Sequence, residues 1–134
     1  MDVNRSALEG MIRDILMEKM SGTGFDSTRD KLKEGVIAVK IPAVRVTDQD
    51  LLDTGKPGDV VYTKDIFSLS ESPRLGCGVM EMKETTFDWT LNYDEIDYVI
   101  EGTLLIIING KSVAANAGEL ILIPKGSSIK FSVP

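Results

Sequence analysis

The chain has 134 residues, of which 43% are hydrophobic and 27% charged; its net charge is -6 and it contains no histidine. Its length predicts one domain with a single core, and its acidic balance argues against a nucleic-acid partner, since phosphates attract basic surfaces. Without histidine there can be no Ser-His-Asp triad, no Cys-His pair and no imidazole metal ligand.

The compartment is indicated by cysteine content and by the length of the apolar runs. The single cysteine, Cys77, allows no internal disulfide, which fits a reducing environment, and its surroundings predict a buried, inert thiol. The longest apolar run, 104–108, is too short to span a bilayer. The N-terminus lacks the pattern of a secretory signal. We therefore expect a cytoplasmic protein without a membrane partner.

Residues 5–20 are predicted to form an amphipathic helix. Its apolar side chains recur at helical spacing and form one stripe; they are Leu8, Met11, Ile12, Ile15, Leu16 and Met20. Ser6 and Glu9 have the spacing of a capping box. So short a helix is marginal alone in water, so its stripe needs a partner surface. Residues 1–20 are thus a separate helical segment, and the Gly/Ser/Thr/Asp-rich stretch within residues 21–35 predicts a flexible linker.

From residue 36 onward the pattern changes to period two and predicts an all-β domain over residues 36–134. The predicted strands are 36–41, 44–46, 75–81, 85–91, 96–100, 103–108, 112–115, 120–123 and 129–133. Asn109-Gly110 predicts a type I′ hairpin turn, and Pro124-Lys125-Gly126 a second turn. Many short strands separated by turns are typical of a sandwich or barrel.

The densest polar cluster, residues 93–102, leaves two orientations open. Glu95 and Asp97 share one face of a strand, while Ile96, Tyr98 and Ile100 share the other. If the carboxylates face inward, burial and like charge raise the pKa of at least one of them, as acid-base chemistry or cation binding requires. Periodicity alone favours the opposite arrangement, with the apolar side chains in the core.

Two segments resemble the paired motifs of the cupin superfamily. Glu95, six residues and Gly102 match the end of the first motif; Gly118, Pro124 and Gly126 match the Gly-x5-Pro-x-Gly of the second. The resemblance implies a double-stranded β-helix, or jelly-roll, barrel with the short helix at its N-terminus. It also implies that Glu95 faces the lumen, and by parity Asp97 and Tyr93 as well.

The metal positions of this motif pair depart from the cupin pattern. In the first motif, cupins have two histidines before the glutamate. If three residues separate the second of these positions from Glu95, the two positions hold Trp89 and Leu91; if four residues do, they hold Asp88 and Thr90. The histidine position of the second motif holds Ile129. Glu95 alone remains of the ligand set. We therefore expect no transition-metal site, since such metals favour imidazole, while Mg²⁺ held by Glu95, Asp97 and a substrate's phosphates remains possible.

A narrower resemblance is carried by 87–103, which reads FDWTLNYDEIDYVIEGT, and by 123–129, IPKGSSI. These runs resemble the ethanolamine-utilisation protein Q (EutQ) family, histidine-depleted cupins of bacterial ethanolamine operons. The resemblance implies association with the ethanolamine microcompartment in the bacterial cytoplasm. It also implies acetate kinase activity, which interconverts acetate plus ATP with acetyl phosphate plus ADP.

The resemblance extends to the N-terminal helix and to assembly. Residues 6–18 resemble the encapsulation peptides of microcompartment cargo, so residues 5–20 are expected to dock on shell or cargo proteins. The alternative is a helix that packs on its own barrel or on a dimer mate. We expect a homodimer.

On this basis the expected catalytic residues are Glu95, Asp97 and Tyr93, with Mg-ATP as cofactor. Trp89, Thr90 and Lys125 are expected to contact substrate. Two other functions stay open: a non-enzymatic cupin that binds a small ligand, and a scaffold that links cargo to the shell.

Overall fold

The computed structural model describes residues 28–134. The chain divides into two compact units, Met1–Val44 and Arg45–Pro134. In the first unit, strand β1 (Arg29–Lys31) pairs antiparallel with β2 (Ile37–Val39). Strand β1 lies within the stretch whose composition predicts a linker. The predicted helix over 5–20 lies outside the described residues, as do residues 21–27 of that linker.

The second unit consists of eight short antiparallel strands. They are β3 (Val60–Asp65), β4 (Gly78–Lys83), β5 (Thr86–Thr90), β6 (Glu95–Tyr98), β7 (Thr103–Ile108), β8 (Lys111–Asn116), β9 (Leu120–Ile123) and β10 (Ser128–Ser132). One sheet has the order β5-β10-β7-β8; β3 pairs with β4, and β6 pairs with β9. Because the chain leaves the four-stranded sheet after β5 and β8 and returns at β7 and β10, the topology is that of a jelly roll. The predicted all-β cupin fold is confirmed.

Side-chain alternation along these strands places the core inside the barrel. In β10, Ile129 and Phe131 are buried while the intervening Lys130 is exposed. Phe131 is 2% exposed and stacks on Phe87 with ring centroids 5.4 Å apart. The buried cluster comprises Val61, Phe87, Leu91, Val99, Ile106, Ala115, Ile121, Ile123, Ile129 and Phe131.

Both predicted turns are present. Asn109 and Gly110 have φ of 51° and 74°, and a type I′ turn requires positive φ at both positions. At the second turn, Ser127 N donates to Pro124 O at 3.2 Å, and Gly126 N donates to Leu91 O at 2.8 Å. The second turn is thereby bonded to the segment that connects β5 and β6.

Three local predictions are wrong. Residues 44–46 form no strand; they lie between two short 3₁₀ helices, Ile41–Ala43 and Asp48–Asp50. The second of these is fixed by a capping box, in which Thr47 N donates to Asp50 Oδ2 at 2.7 Å. Strand β3 was absent from the predicted strands. Cys77 is exposed, not buried.

Candidate carboxylate site

Strand β6 turns its two carboxylates toward the inside of the barrel. Glu95 is paired in register with Ile123, and Asp97 with Ile121, both buried core residues of β9. The side chains between them point the other way, because Ile96 and Tyr98 are 67% and 61% exposed. This is the orientation that the cupin resemblance implies and the opposite of the one that hydrophobic periodicity favours.

The two carboxylates are poorly compensated. Glu95 Oε1 and Asp97 Oδ2 are buried, and neither accepts a hydrogen bond from another residue of the described chain, 28–134. Such atoms are costly in a protein interior unless they gain a partner. A cation or a proton-bearing ligand group would supply that partner.

The electrostatics of the pair follow from this position. Burial and the neighbouring Asp97 carboxylate raise the pKa of Glu95 from 4.5 to about 7, while the Tyr93 hydroxyl acts in the opposite direction. Burial also raises the pKa of Asp97. Like charges so close together resist simultaneous ionisation, so the pair tends to retain one proton near neutral pH.

The structure brings some of the predicted site residues together and separates others. Tyr93 lies beside Glu95 and is 52% exposed. Lys125 has an exposed side chain, and its backbone N–H donates to Asp94 Oδ1 at 2.8 Å. This bond holds the second turn next to the strand that carries the carboxylates.

Trp89 and Thr90 lie on β5, in the four-stranded sheet. The Trp89 ring packs edge-on against Phe87, with centroids 6.0 Å apart. The Thr90 hydroxyl is 3.1 Å from that of Ser128, on the opposite face of β5 from Trp89. Within residues 28–134 no hydrogen bond joins Trp89, Thr90 or Lys125 to the Glu95–Asp97 pair.

An open groove that sequence reasoning missed lies by β5 and the β7–β8 hairpin. Its volume is about 260 Å³. It is lined by Asp88, Trp89, Thr90, Ile107, Asn109, Gly110, Ser128, Ile129 and Lys130. The Lys130 ammonium and the Asp88 carboxylate form an ion pair of 2.6 Å there. The carboxylates of β6 do not line this groove, so the two features are separate.

The donor set suits a hard cation with few protein ligands. In the part of the chain that the structure describes, no three His, Cys, Asp or Glu residues are grouped to hold a metal ion. Two carboxylates with uncompensated oxygens are nevertheless the kind of protein ligand that Mg²⁺ uses when water and substrate phosphates complete its shell.

In the described residues, no helix is long and apolar enough to cross a membrane.

The raised pKa predicts a pH-dependent stability. Between the ordinary pKa of 4.5 and about 7, the folded chain holds a proton that the unfolded chain has released, so stability falls as pH rises through this window. Glu95→Gln removes the penalty and is expected to stabilise the protein by about 1–2 kcal/mol near pH 8, and by little near pH 5, after allowance for solvent screening. Urea denaturation in EDTA at both pH values measures this.

The matched control is Glu81→Gln, an exposed glutamate on β4. Its stability should follow that of the unmodified chain at both pH values. Equal effects of Glu95→Gln near pH 8 and pH 5 would show that the Glu95 carboxyl does not carry the penalty.

Sequence and structure comparisons place these features in a family. Residues 3–134 match the family described as ethanolamine utilisation protein EutQ. The chain is 62% identical over 135 residues to the Clostridioides difficile protein named acetate kinase EutQ, covering 99% of this chain and 86% of that protein. It is 43% identical over 82 residues to the Salmonella typhimurium acetate kinase EutQ, a match that spans 61% of this chain but 35% of that longer protein.

Solved structures agree with the sequence matches. The Clostridium difficile EutQ protein superposes with a TM-score of 0.80 at 68% identity, over 82% of this chain and 80% of that one. A putative ethanolamine utilisation protein Q from Salmonella typhimurium gives a TM-score of 0.72 at 36% identity, over 80% of this chain and 84% of the other. The chain therefore belongs to the EutQ family of ethanolamine-utilisation proteins.

Proposed function

We propose that this protein is an acetate kinase of ethanolamine utilisation, and that the Glu95–Asp97 pair is its catalytic centre. The observation that carries the proposal is the pair of inward-facing carboxylates with buried, uncompensated oxygens, in a chain whose relatives are named acetate kinase. Such a pair is expected where a protein binds a cation that accompanies a nucleotide.

The reaction is a phosphoryl transfer. An oxygen of acetate attacks the γ-phosphorus of ATP, the bond from that phosphorus to the ADP oxygen breaks, and acetyl phosphate leaves with ADP. The protein's contribution to such a reaction is mainly positioning and charge neutralisation. Glu95 and Asp97 would hold Mg²⁺, which when bound neutralises phosphate charge.

The remaining residues have supporting roles in this proposal. Tyr93, beside Glu95, would donate a hydrogen bond to substrate. Lys125, attached through its backbone to Asp94, offers a cation at the same end of β6. Trp89 and Thr90 lie on β5, so their contact with substrate requires that the substrate reach the four-stranded sheet.

The acidic charge of the chain supports binding of the nucleotide as a metal complex in this proposal. Residues 41–134 contain 8 basic and 14 acidic residues. A surface of that sign repels free ATP, and Glu95 and Asp97, two of those 14 acidic residues, strengthen the repulsion at the site. Nucleotide is therefore expected to bind as its Mg²⁺ complex.

The direct test is synthesis of acetyl phosphate by the purified full chain. Incubated with acetate, ATP and Mg²⁺, the protein should form acetyl phosphate, trapped as the hydroxamate with hydroxylamine, and EDTA should abolish it. No product above a protein-free control would exclude the kinase and favour a ligand-binding or scaffolding role for the barrel.

We also propose that the protein acts in the bacterial cytoplasm in association with the ethanolamine microcompartment, through residues 5–20. The support is the amphipathic pattern of that segment, whose apolar stripe requires a partner surface. Deleting residues 1–20 from a fluorescent fusion should disperse it from microcompartments, whereas the full-length fusion should remain punctate. Unchanged puncta after deletion would rule out this targeting role.

A further inference from the structure

The groove beside β5 opens where two strands of the four-stranded sheet part. Strand β10 pairs with β5 along its whole length, whereas its pairing with β7 ends at the Lys130–Ile107 pair. Beyond that pair, β7 runs on into the Asn109-Gly110 turn, and the groove of about 260 Å³ fills the gap between this turn and the start of β10. Because its walls are strands and a tight hairpin turn, the groove is built into the fold, as small-molecule sites usually are.

The groove combines an aromatic wall with polar groups of no net charge. Trp89 supplies the aromatic wall. The polar groups are the Lys130–Asp88 ion pair and the hydroxyls of Thr90 and Ser128, which lie 3.1 Å apart. An aromatic surface with a few polar groups is the usual composition of a small-molecule site. Since the two charges of the ion pair cancel, the lining suits an uncharged polar ligand better than an anion.

The volume of the groove limits how much of a ligand it can hold. Its 260 Å³ lies below the range of about 300–1,000 Å³ that encloses drug-sized ligands. A ring system with attached hydroxyls is therefore a better fit than a whole nucleoside triphosphate. The nucleoside end of a nucleotide has the matching chemistry, because its base stacks on aromatic side chains and its ribose hydroxyls both donate and accept hydrogen bonds.

A hydrogen-bonded corner connects the groove to the carboxylates of β6. The turn over 124–127 is bonded to Leu91 at the end of β5 and to Asp94 at the start of β6. The chain takes five residue steps from Thr90, in the groove, to Glu95. Their Cα atoms are therefore at most about 18 Å apart. An extended nucleoside triphosphate can span such a corner, with its base at one end and its phosphates at the other.

We propose that the groove formed by Trp89, Thr90 and Ser128 is a nucleoside site, which holds the adenosine moiety of the nucleotide against the Trp89 indole. The identity of the nucleotide as ATP rests on the proposed kinase function. Adenosine itself carries none of the phosphate charge that the acidic residues repel, so it should bind in the groove without Mg²⁺ and without the carboxylate pair.

Fluorescence of Trp89 tests this site directly, because Trp89 is the only tryptophan in the chain. Adenosine is titrated into the full chain in EDTA. We expect a saturable change in Trp89 emission with a dissociation constant on the order of 1 mM, and no change with ribose alone. Glu95→Ala should bind adenosine with the same dissociation constant as the unmodified chain.

Ser128→Gln fills part of the groove with a larger, uncharged side chain and should raise the dissociation constant for adenosine at least ~10-fold. The matched control is Ser132→Gln, on the same side of β10. The Ser132 hydroxyl is 2.6 Å from that of Thr86, as the Ser128 hydroxyl is close to that of Thr90, but Ser132 does not line the groove. The control should bind adenosine like the unmodified chain. Thr90→Gln is made in parallel; circular dichroism verifies folding, and either folded groove variant suffices.

Three results would overturn the nucleoside site. They are the absence of a saturable adenosine signal in the unmodified chain, an equal signal in a folded groove variant, and a signal that disappears in Glu95→Ala, which would place adenosine at the carboxylates. Failure of the kinase proposal is recognised separately. Acetyl phosphate formation without adenosine binding rejects the groove alone, and adenosine binding without acetyl phosphate formation rejects the kinase alone.

Discussion

Glu95→Ala is expected to lower acetyl phosphate formation by at least ~100-fold in kcat/KM, the range seen when a group that stabilises transition-state charge is removed. The physical reason is that Glu95 supplies half of the carboxylate pair inside the barrel, and its buried Oε1 accepts no hydrogen bond from the described residues, 28–134. The measurement is initial rate against acetate concentration at saturating Mg-ATP.

The activity loss must be separated from unfolding. Because Glu95 carries a raised pKa, it destabilises the fold at neutral pH, and its removal should leave thermal stability equal or higher. Glu81→Ala makes the same chemical change on the exposed side of β4 and should retain activity within about twofold, as surface substitutions usually do. Full activity in Glu95→Ala would remove β6 from the mechanism.

The largest effect on stability is expected at Phe131. This side chain is 2% exposed, lies on a strand between β5 and β7, and stacks on Phe87. Phe131→Ala should cost about 3–5 kcal/mol through lost burial and the cavity left behind. Since the free energy of unfolding of small domains is about 5–15 kcal/mol in total, the variant should be partly unfolded near the growth temperature of the host cell.

Urea denaturation measures this cost, with Phe131→Leu as the comparison. Leucine keeps much of the volume and should lose under about 1.5 kcal/mol. A loss below about 1 kcal/mol for the alanine variant would mean that the β5-β10-β7 layer is not the main core.

The parts of the fold that depend on local chemistry could be predicted from sequence. Asn109-Gly110 encodes a hairpin because both positions need positive φ. Strands β5 and β10 alternate apolar and polar side chains, whereas β7 and β9 are short, almost continuous apolar runs, and both patterns predict strands. Strand β1 could not be predicted in this way, because Arg29–Lys31 shows no apolar alternation and forms a strand through its pairing with β2.

The orientation of β6 shows where sequence reasoning needs tertiary information. Period-two alternation identifies two faces but does not say which one meets the core, and hydrophobicity selects Ile96 and Tyr98. In the structure, pairing with Ile121 and Ile123 turns Glu95 and Asp97 inward instead. The cupin motif supplies this orientation because its glutamate faces the lumen. The apolar side chains Ile96 and Tyr98 are then exposed to solvent.

The positions of Trp89, Thr90 and Lys125 relative to the Glu95–Asp97 pair could not be predicted from the sequence. Trp89 and Thr90 face opposite sides of β5 yet both line the groove beside the β7–β8 hairpin, and the carboxylates of β6 do not line that groove. Lys125 lies near Asp94 through a backbone contact between two loops, a relation with no signature in either segment alone.

Calorimetric titration of the full chain with Mg-ATP, followed by acetate, tests the central claim that the carboxylates of β6 form a binding site for Mg-ATP. The unmodified chain should bind Mg-ATP at near-neutral pH, should not bind ATP in EDTA, and should give a second heat with acetate. Glu95→Ala should lose the first binding event. Absence of Mg-ATP binding to the unmodified chain, or equal binding to Glu95→Ala, would contradict the account.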